Sequence, residues 1–409
     1  MPQRPMEGVR VLEVAQFTFT PAAGAVLADW GAEVIKVEHH EYGDAQRSLR
    51  IGTGGAAVGS FQPLMEGPNR GKRSIGLALD QPSGIEILYE LAARSDVFLT
   101  NFLPAARRRL GIDVEHLRKA NPRIIYVRGS AHGQRGPDAE MGGYDGSTFW
   151  SRAGSAMGST PPDSPRVINM PAGAYGDNMG GMTIAGGISA ALFARERTGE
   201  PSVVDVSLLS LGTWATSLSV NTALLVGADM PVAPLTAPPY APVNPLIGNF
   251  RTSDGRWVNL TMLQPGRYWE DVCRHLDIEQ YIDDERFDDG EKLIANAEQA
   301  GTVIAEAIGA RTYADLLERF KTLEGQWSPN HTSLELAADP QVQANGYIQP
   351  LTDADGIERQ LVANPVQFEE TPPTLRRAPQ FAEHTDDILR ELGKSDEELI
   401  QLKIDGAVT

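Results

Sequence analysis

The sequence predicts an α/β protein: a large domain built on a doubly wound, mostly parallel, Rossmann-like sheet, followed by a smaller α+β domain. Three observations carry that prediction. From Val9 to Arg128, short β-branched and aliphatic runs alternate with segments of helical period. The composition then shifts at Gly227–Pro245, where Pro and Ala accumulate (MPVAPLTAPPYAPVNP). Beyond that shift, Phe250–Met262 (FRTSDGRWVNLTM) places Ser253-Asp254-Gly255 between two β-like runs, the mark of a hairpin.

Taken in order, Val9–Val14 (VRVLEV) suits a buried strand, Ala22–Trp30 a helix stopped by Gly31, and Glu33–Glu38 (EVIKVE) a second strand. Pro21 sits where a first-turn helix proline is tolerated. The turn between strand and helix lacks G-x-G-x-x-G, so the fingerprint of a nucleotide-dependent dehydrogenase is missing. Strands follow at Arg73–Leu79, Asp96–Thr100 and Arg123–Arg128, with helices at Pro82–Ala93, Ala105–Leu110 and Val114–Ala120. Strands alternating with helices imply parallel pairing by right-handed crossovers, and ligands of such sheets lie beyond the carboxyl ends of the strands. The stretches Gln16–Thr20, His39–Asp44, Asn101–Phe102 and Gly129–Gln134 are placed there.

Residues Ala131–Met170 are rich in Gly, Ser and Pro and read as a long irregular loop of the active-site type. Ser202–Leu209 suits another strand and Thr213–Val226 a helix. Residues 227–245 read as a boundary or crossing segment. Helices at Arg267–His275, Ala295–Ala307 and Tyr313–Leu323 then belong to a smaller domain over 246–338. From Asp339 the chain returns to extended segments and ends in a helix, Ser395–Lys403.

Several function classes are excluded by composition. At 409 residues, with 41% hydrophobic and 22% charged residues, the chain has the make-up of a folded soluble protein of two or three domains. No apolar run of about 18 residues and no basic-then-apolar leader is visible, so neither a membrane span nor a signal peptide is expected. The single cysteine, Cys273, leaves no intrachain disulfide and no cysteine-based metal cluster, and it suits a reducing cytoplasm. A net charge of -18 opposes general nucleic-acid binding, which needs a basic face. Seven scattered His give no metal motif.

The stretch with the most chemistry is Gly173–Gly199 (GAYGDNMGGMTIAGGISAALFARERTG). It is a glycine-rich turn bearing Asp177, then a small-residue helix closing on Arg195 and Arg197. An acid ahead of a helix is commonly a cap at the positive end of the dipole. The alternative is that Gly176, Gly180 and Gly181 bare the backbone so that a ligand reaches the Asp177 carboxylate.

Several segments together settle a resemblance. GAEVIKVE, NRGKRSIGL, DVFLTNFLPAARRRLG, NPRIIYVRGSAHGQRGP, Gly142–Asp145, Gly176–Gly199, Asp205–Leu208 and DPQVQANG occur in the order found in the class III coenzyme A transferases, the CaiB–BaiF family, which the chain resembles over nearly its whole length. The resemblance implies a CoA-binding large domain over 1–226 and 339–409, two chains interlocked as a homodimer, and acyl-CoA and a carboxylic acid as the reactants. Coenzyme A is then a substrate, and no permanently bound cofactor and no metal are implied. Asp177 matches the family nucleophile, which passes CoA through a mixed anhydride and an aspartyl-CoA thioester. Gly180 and Gly181 would bare amides for the developing oxyanion.

The implied CoA-binding positions are Thr18, His39 (where the family usually has Arg), Lys72, Asn101, Phe102, Arg109 and Arg128. Lys and Arg suit the phosphates, and Phe102 suits the adenine or pantetheine. Two departures speak against the formyl-CoA branch: Phe17-Thr18-Phe19 replaces a Gln contact, and no run of consecutive glycines occurs in the smaller domain. The family's racemases pair an Asp with a His. Here the matching turn is Gly143-Tyr144-Asp145, and a free tyrosine phenol, ionising at about pH 10, is a poor base at neutrality. An acyl-CoA:carboxylate CoA-transferase is therefore expected, with a racemase of the same fold, or a CoA-binding homologue without catalysis, as the alternatives.

Overall fold

A computed structural model describes residues 4–49 and 57–409. The chain forms two compact units, one of residues 1–160, 164–232 and 340–409, the other of residues 161–163 and 233–339.

The larger unit is built on six strands: β1 (Arg10–Val14), β2 (Glu33–His39), β3 (Arg73–Leu77), β4 (Val97–Thr100), β5 (Ile125–Ser130) and β6 (Val203–Ser207). They pair in the order β3-β2-β1-β4-β5-β6, every pair parallel. The predicted doubly wound fold is the one found. The order reverses between β1 and β4, so their carboxyl ends flank the crevice where such sheets take ligands.

The linking helices are α1 (Phe19–Asp29), α2 (Pro63–Asn69), α3 (Pro82–Ala93), α4 (Pro104–Leu110), α5 (Val114–Ala120), α6 (Ser155–Gly158), α7 (Tyr175–Thr198), α8 (Leu208–Ala215) and α9 (Ser217–Val226). Strand alternation divides the core. Val11, Val97, Leu99, Ile125 and Val127 face α1 and α7, where they meet Ala23, Leu27, Ile184 and Ile188. Leu12, Phe98 and Tyr126 face the other way, onto Leu88 of α3, Leu117 of α5 and Leu389 and Leu399 of the C-terminal helices. Both layers are closed to water, and each fully buried aliphatic side chain stabilises by roughly 1.5–3 kcal/mol.

Three predicted elements differ from what is found. Helix α1 begins at Phe19, three residues before Ala22, because Pro21 is accommodated in the first turn, where no helical N–H bond is lost. The Ala131–Met170 stretch is not all loop: Asp145–Arg152 forms a π-helix and α6 follows. The predicted Thr213–Val226 helix is two helices, α8 and α9, bent by 70°.

The smaller unit has a four-stranded antiparallel sheet of Tyr240–Ala241, Asn244–Arg251, Trp257–Thr261 and Trp327–Pro329. Residues 240–245, read from the sequence as part of a crossing segment, thus include paired strand. The expected hairpin closes at Ser253-Asp254-Gly255, with Gly255 at φ 81°. Leu246, Phe250, Val258 and Leu260 pack on Val272, Ile304, Ile308 and Leu316 from its helices. Cys273 lies in this core, and burial pushes its thiol up to about 12.

Candidate active site

The site is organised by the start of α7. Ala174, held at φ 61° in the left-handed region, turns the chain into the helix, and its own side chain supplies no cap. The first amides of a helix need an acceptor, and here it comes from outside. Asp145, 31 residues before Gly176 and at the head of the π-helix, is buried. Its Oδ1 accepts the Gly176 N–H at 3.2 Å. The amides of Tyr175 and Asp177 act on the same carboxylate. Oδ2 is buried with no direct hydrogen bond. Gly176 makes this approach possible, because a Cβ there would stand 2.4 Å from the Phe149 ring and 2.8 Å from Asp145 Oδ1.

Asp177 follows in the same first turn, half-buried. Burial, and then the charge of Asp145, push its carboxyl up to about 7. Burial likewise raises Asp145, against the pull of the helix amides. Two carboxyls therefore share one helix terminus. Asp145 is the cap, and Asp177 is left with the basicity of a good nucleophile.

The sequence reading of Gly180 and Gly181 as oxyanion donors is corrected. A Cβ at Gly180 would reach 2.1 Å from the Phe19 ring, and one at Gly181 would reach 2.5 Å from Ala22 Cβ. Both glycines are buried where α7 crosses α1, and what approaches them is protein. Their amides also lie past the first turn, where helical N–H groups bond the carbonyls four residues back.

The seven predicted CoA positions divide into two sets. Thr18 is buried and donates its hydroxyl to Gln46 Oε1 at 2.9 Å. Asn101 joins the switch-point strands, accepting the Gln16 N–H at 3.0 Å and donating to its carbonyl at 2.6 Å. Arg128 pairs with Asp205 at 2.6 and 2.9 Å. Lys72 is the clearest correction. Its Nζ is fully buried and ringed by Glu13 Oε1 and Oε2 at 2.7 Å, Pro21 O at 2.8 Å and Asn69 Oδ1 at 3.2 Å. Burial pushes this ammonium down, and Glu13 pulls against it. Such a group is a structural ion pair, closed to a phosphate. The remaining three keep free surface: His39, stacked between His40 at 4.7 Å and Tyr42 at 4.9 Å; Phe102, half-buried; and Arg109, exposed on α4.

Two features were missed in the sequence. One is the capping role of Asp145, whose Gly-Tyr-Asp turn was visible although its distant partner was not. The other is Phe17, at φ 64° just after β1, held by an N–H bond of 3.1 Å to Asp44 Oδ1 and set edge-to-face on Tyr144 at 5.4 Å. A bulky residue in the left-handed region is strained, and such strain collects at functional sites.

The fold and this carboxylate-bearing helix start define a class. The profile of CoA-transferase family III matches residues 6–385, and the chain belongs to that family. It is 32% identical over 397 residues to a succinate–glutarate CoA-transferase of Agrobacterium fabrum, covering 96% of this chain and 97% of that one. It is 30% identical over 407 residues to a cinnamoyl-CoA:phenyllactate CoA-transferase of Clostridium sporogenes, covering 97% and 96%. A CaiB/BaiF family protein from Brucella suis superposes with a TM-score of 0.80 at 28% identity, over 96% of this chain and 100% of that one. The chain is thus an enzyme that moves coenzyme A between an acyl thioester and a carboxylate.

Proposed function

We propose that Asp177 is the nucleophile of this transfer. The observation that carries the reading is a half-buried carboxyl, raised to about 7, in the first turn of a helix capped by a second carboxylate. The Asp177 carboxylate adds to the donor thioester carbonyl; the C–S bond breaks, and the electron pair leaves on sulfur as the CoA thiolate. The thiolate then attacks the Asp177 carbonyl of the mixed anhydride, expelling the donor acid and leaving CoA on Asp177 as a thioester. The acceptor carboxylate repeats both steps in reverse order, which regenerates Asp177 and keeps the thioester energy throughout. No resident cofactor enters this cycle. For CoA itself, the exposed Arg109 and half-buried Phe102 and His39 are the contacts we infer, with charge-assisted bonds from arginine to the phosphates.

Incubation with cinnamoyl-CoA or succinyl-CoA, without acceptor, should leave CoA on Asp177, located by peptide mass; hydroxylamine should then release CoA as the free thiol and leave a hydroxamate on Asp177. Asp177→Ala is expected to lose the adduct and at least ~10³-fold in turnover. Full activity in that variant would refute the assignment.

We further propose that the enzyme works as a homodimer. Helices α8 and α9 expose Trp214 (79%), Leu218 (80%) and Leu225 (85%), a run of large apolar side chains of the kind monomers seldom leave in water.

A further inference from the structure

We propose that Asp145 is a positioning residue for the transfer reaction: seated on the amide end of α7, it fixes the turn that carries Asp177 and holds a negative charge against it. The inference rests on the reading of Asp177 as nucleophile. A capping carboxylate on this helix is not required by helix chemistry alone, since Ser, Thr or Asn caps as well and brings no charge. The site spends a buried carboxylate there, with Oδ2 left without a hydrogen bond, and removes the side chain at position 176 to admit it.

The charge inventory around Asp177 supports a specific pairing. α1 carries only Asp29 at its far end, paired with Arg70 at 2.6 Å, and α8 carries no charged residue. On β5 and β6, Arg128 and Asp205 pair with each other. Their neighbours Val127, Val204 and Val206 face α7, so alternation sends the pair to the sheet's other side. On the π-helix, Arg152 is tied to Asp138 at 2.6 Å. The charges on α7 beyond Asp177 itself, Arg195, Glu196 and Arg197, lie at its opposite end. Among the described residues, Asp145 is the charged group that acts on Asp177.

The geometry has a catalytic consequence. Helix amides aimed at Asp177 would stabilise its anion and blunt it; aimed at Asp145, they do not. When Asp177 attacks the thioester, its charge leaves the Asp177 carboxylate for the carbonyl oxygen and then for sulfur, so repulsion that Asp145 exerts on the Asp177 anion in the ground state is relieved as the bond forms. Asp145 itself forms no bond to substrate.

The test is Asp145→Asn, which keeps an oxygen for the Gly176 amide and removes the charge. Carbodiimide activation consumes a proton and is faster on a protonated carboxyl, so labelling of Asp177 with glycine ethyl ester, read by peptide mass across pH 5 to 9 and normalised to exposed carboxyls of the same chain, reports its titration without substrate. We expect the labelling midpoint to fall by about one pH unit or more in Asp145→Asn. Single-turnover formation of the CoA–Asp177 adduct from cinnamoyl-CoA or succinyl-CoA should also slow at pH 8, with the thermal transition retained. An unmoved midpoint, or an unchanged adduct rate, overturns the role of Asp145. Absence of any CoA adduct on Asp177 in the unmodified protein would instead overturn the nucleophile reading, whatever the labelling shows. Asp145→Glu, which restores charge, should return the midpoint toward that of the native protein. A midpoint that stays low in this variant would contradict the charge argument.

Discussion

A carboxyl that titrates near 7 leaves a mark on stability as well as on reactivity. Asp177 is raised in the folded chain to about 7, from about 4 unfolded, so the native state holds more protons than the unfolded state between those values. Stability from this group is therefore fully present below pH 4 and lost as pH rises through 7. Chemical denaturation at pH 5.5 and 7.5 should show a fall with pH that Asp177→Asn abolishes. Its absence in the native protein would mean that Asp177 titrates normally.

The other buried charges behave differently. Glu13, Lys36 and Lys72 lie within hydrogen-bonding distance in a fully buried cluster, with Lys36 also 2.8 Å from Asp44. Glu13→Gln leaves Lys72 buried beside a neutral partner. We expect a loss of ~3–5 kcal/mol in urea unfolding, as when one partner of a buried pair is removed. Lys72 shows where sequence reasoning met its limit: a basic residue at a strand start is compatible with phosphate binding or ion pairing. Only the fold, by bringing Glu13 opposite it, decides.

At the scale of elements, the contact of α1 with α7 carries the site. Phe19 and Ala22 of α1 fill the spaces left by Gly180 and Gly181, which fixes how closely the two helices pack one turn beyond Asp177. Gly180→Ala should cost ~1–3 kcal/mol by overpacking and lower the melting temperature. A neutral outcome would show that α1 retreats freely. The strands and most helices were legible because their side chains repeat with periods of 2 and 3.6, and parallel order follows from their alternation. The π-helix Asp145–Arg152 was not legible. Its sequence, DGSTFWSR, is polar except for Phe149 and Trp150 and only eight residues long, so it reads as part of the surrounding Gly- and Ser-rich loop. The same gap hid the cap, since the partners Asp145 and Gly176 are joined only by the fold. Gly180 and Gly181 were misjudged for a related reason, as a missing side chain makes room for a ligand or a helix alike.

For the whole molecule, the proposal of a homodimer makes the apolar α8–α9 face a working surface. Light scattering should give about twice the 44.2 kDa chain mass, and Leu218→Asp with Leu225→Glu should yield a monomer. A native protein that already runs as a monomer would refute the proposal.

The larger unit is interrupted in the chain, and its edge strand β3 is completed from far away. Ala78 donates to the Ala407 carbonyl at 2.9 Å, Leu77 bridges Val408, and the bare Gly76 leaves space for Thr409. On the ribosome, β3 is therefore made long before its cover exists. The smaller unit, residues 233–339 apart from a three-residue strap, is synthesised in between and folds from an almost continuous segment. Vectorial synthesis thus sets an order of completion, in which the β3 edge of the sheet is sealed only after the smaller unit has been made.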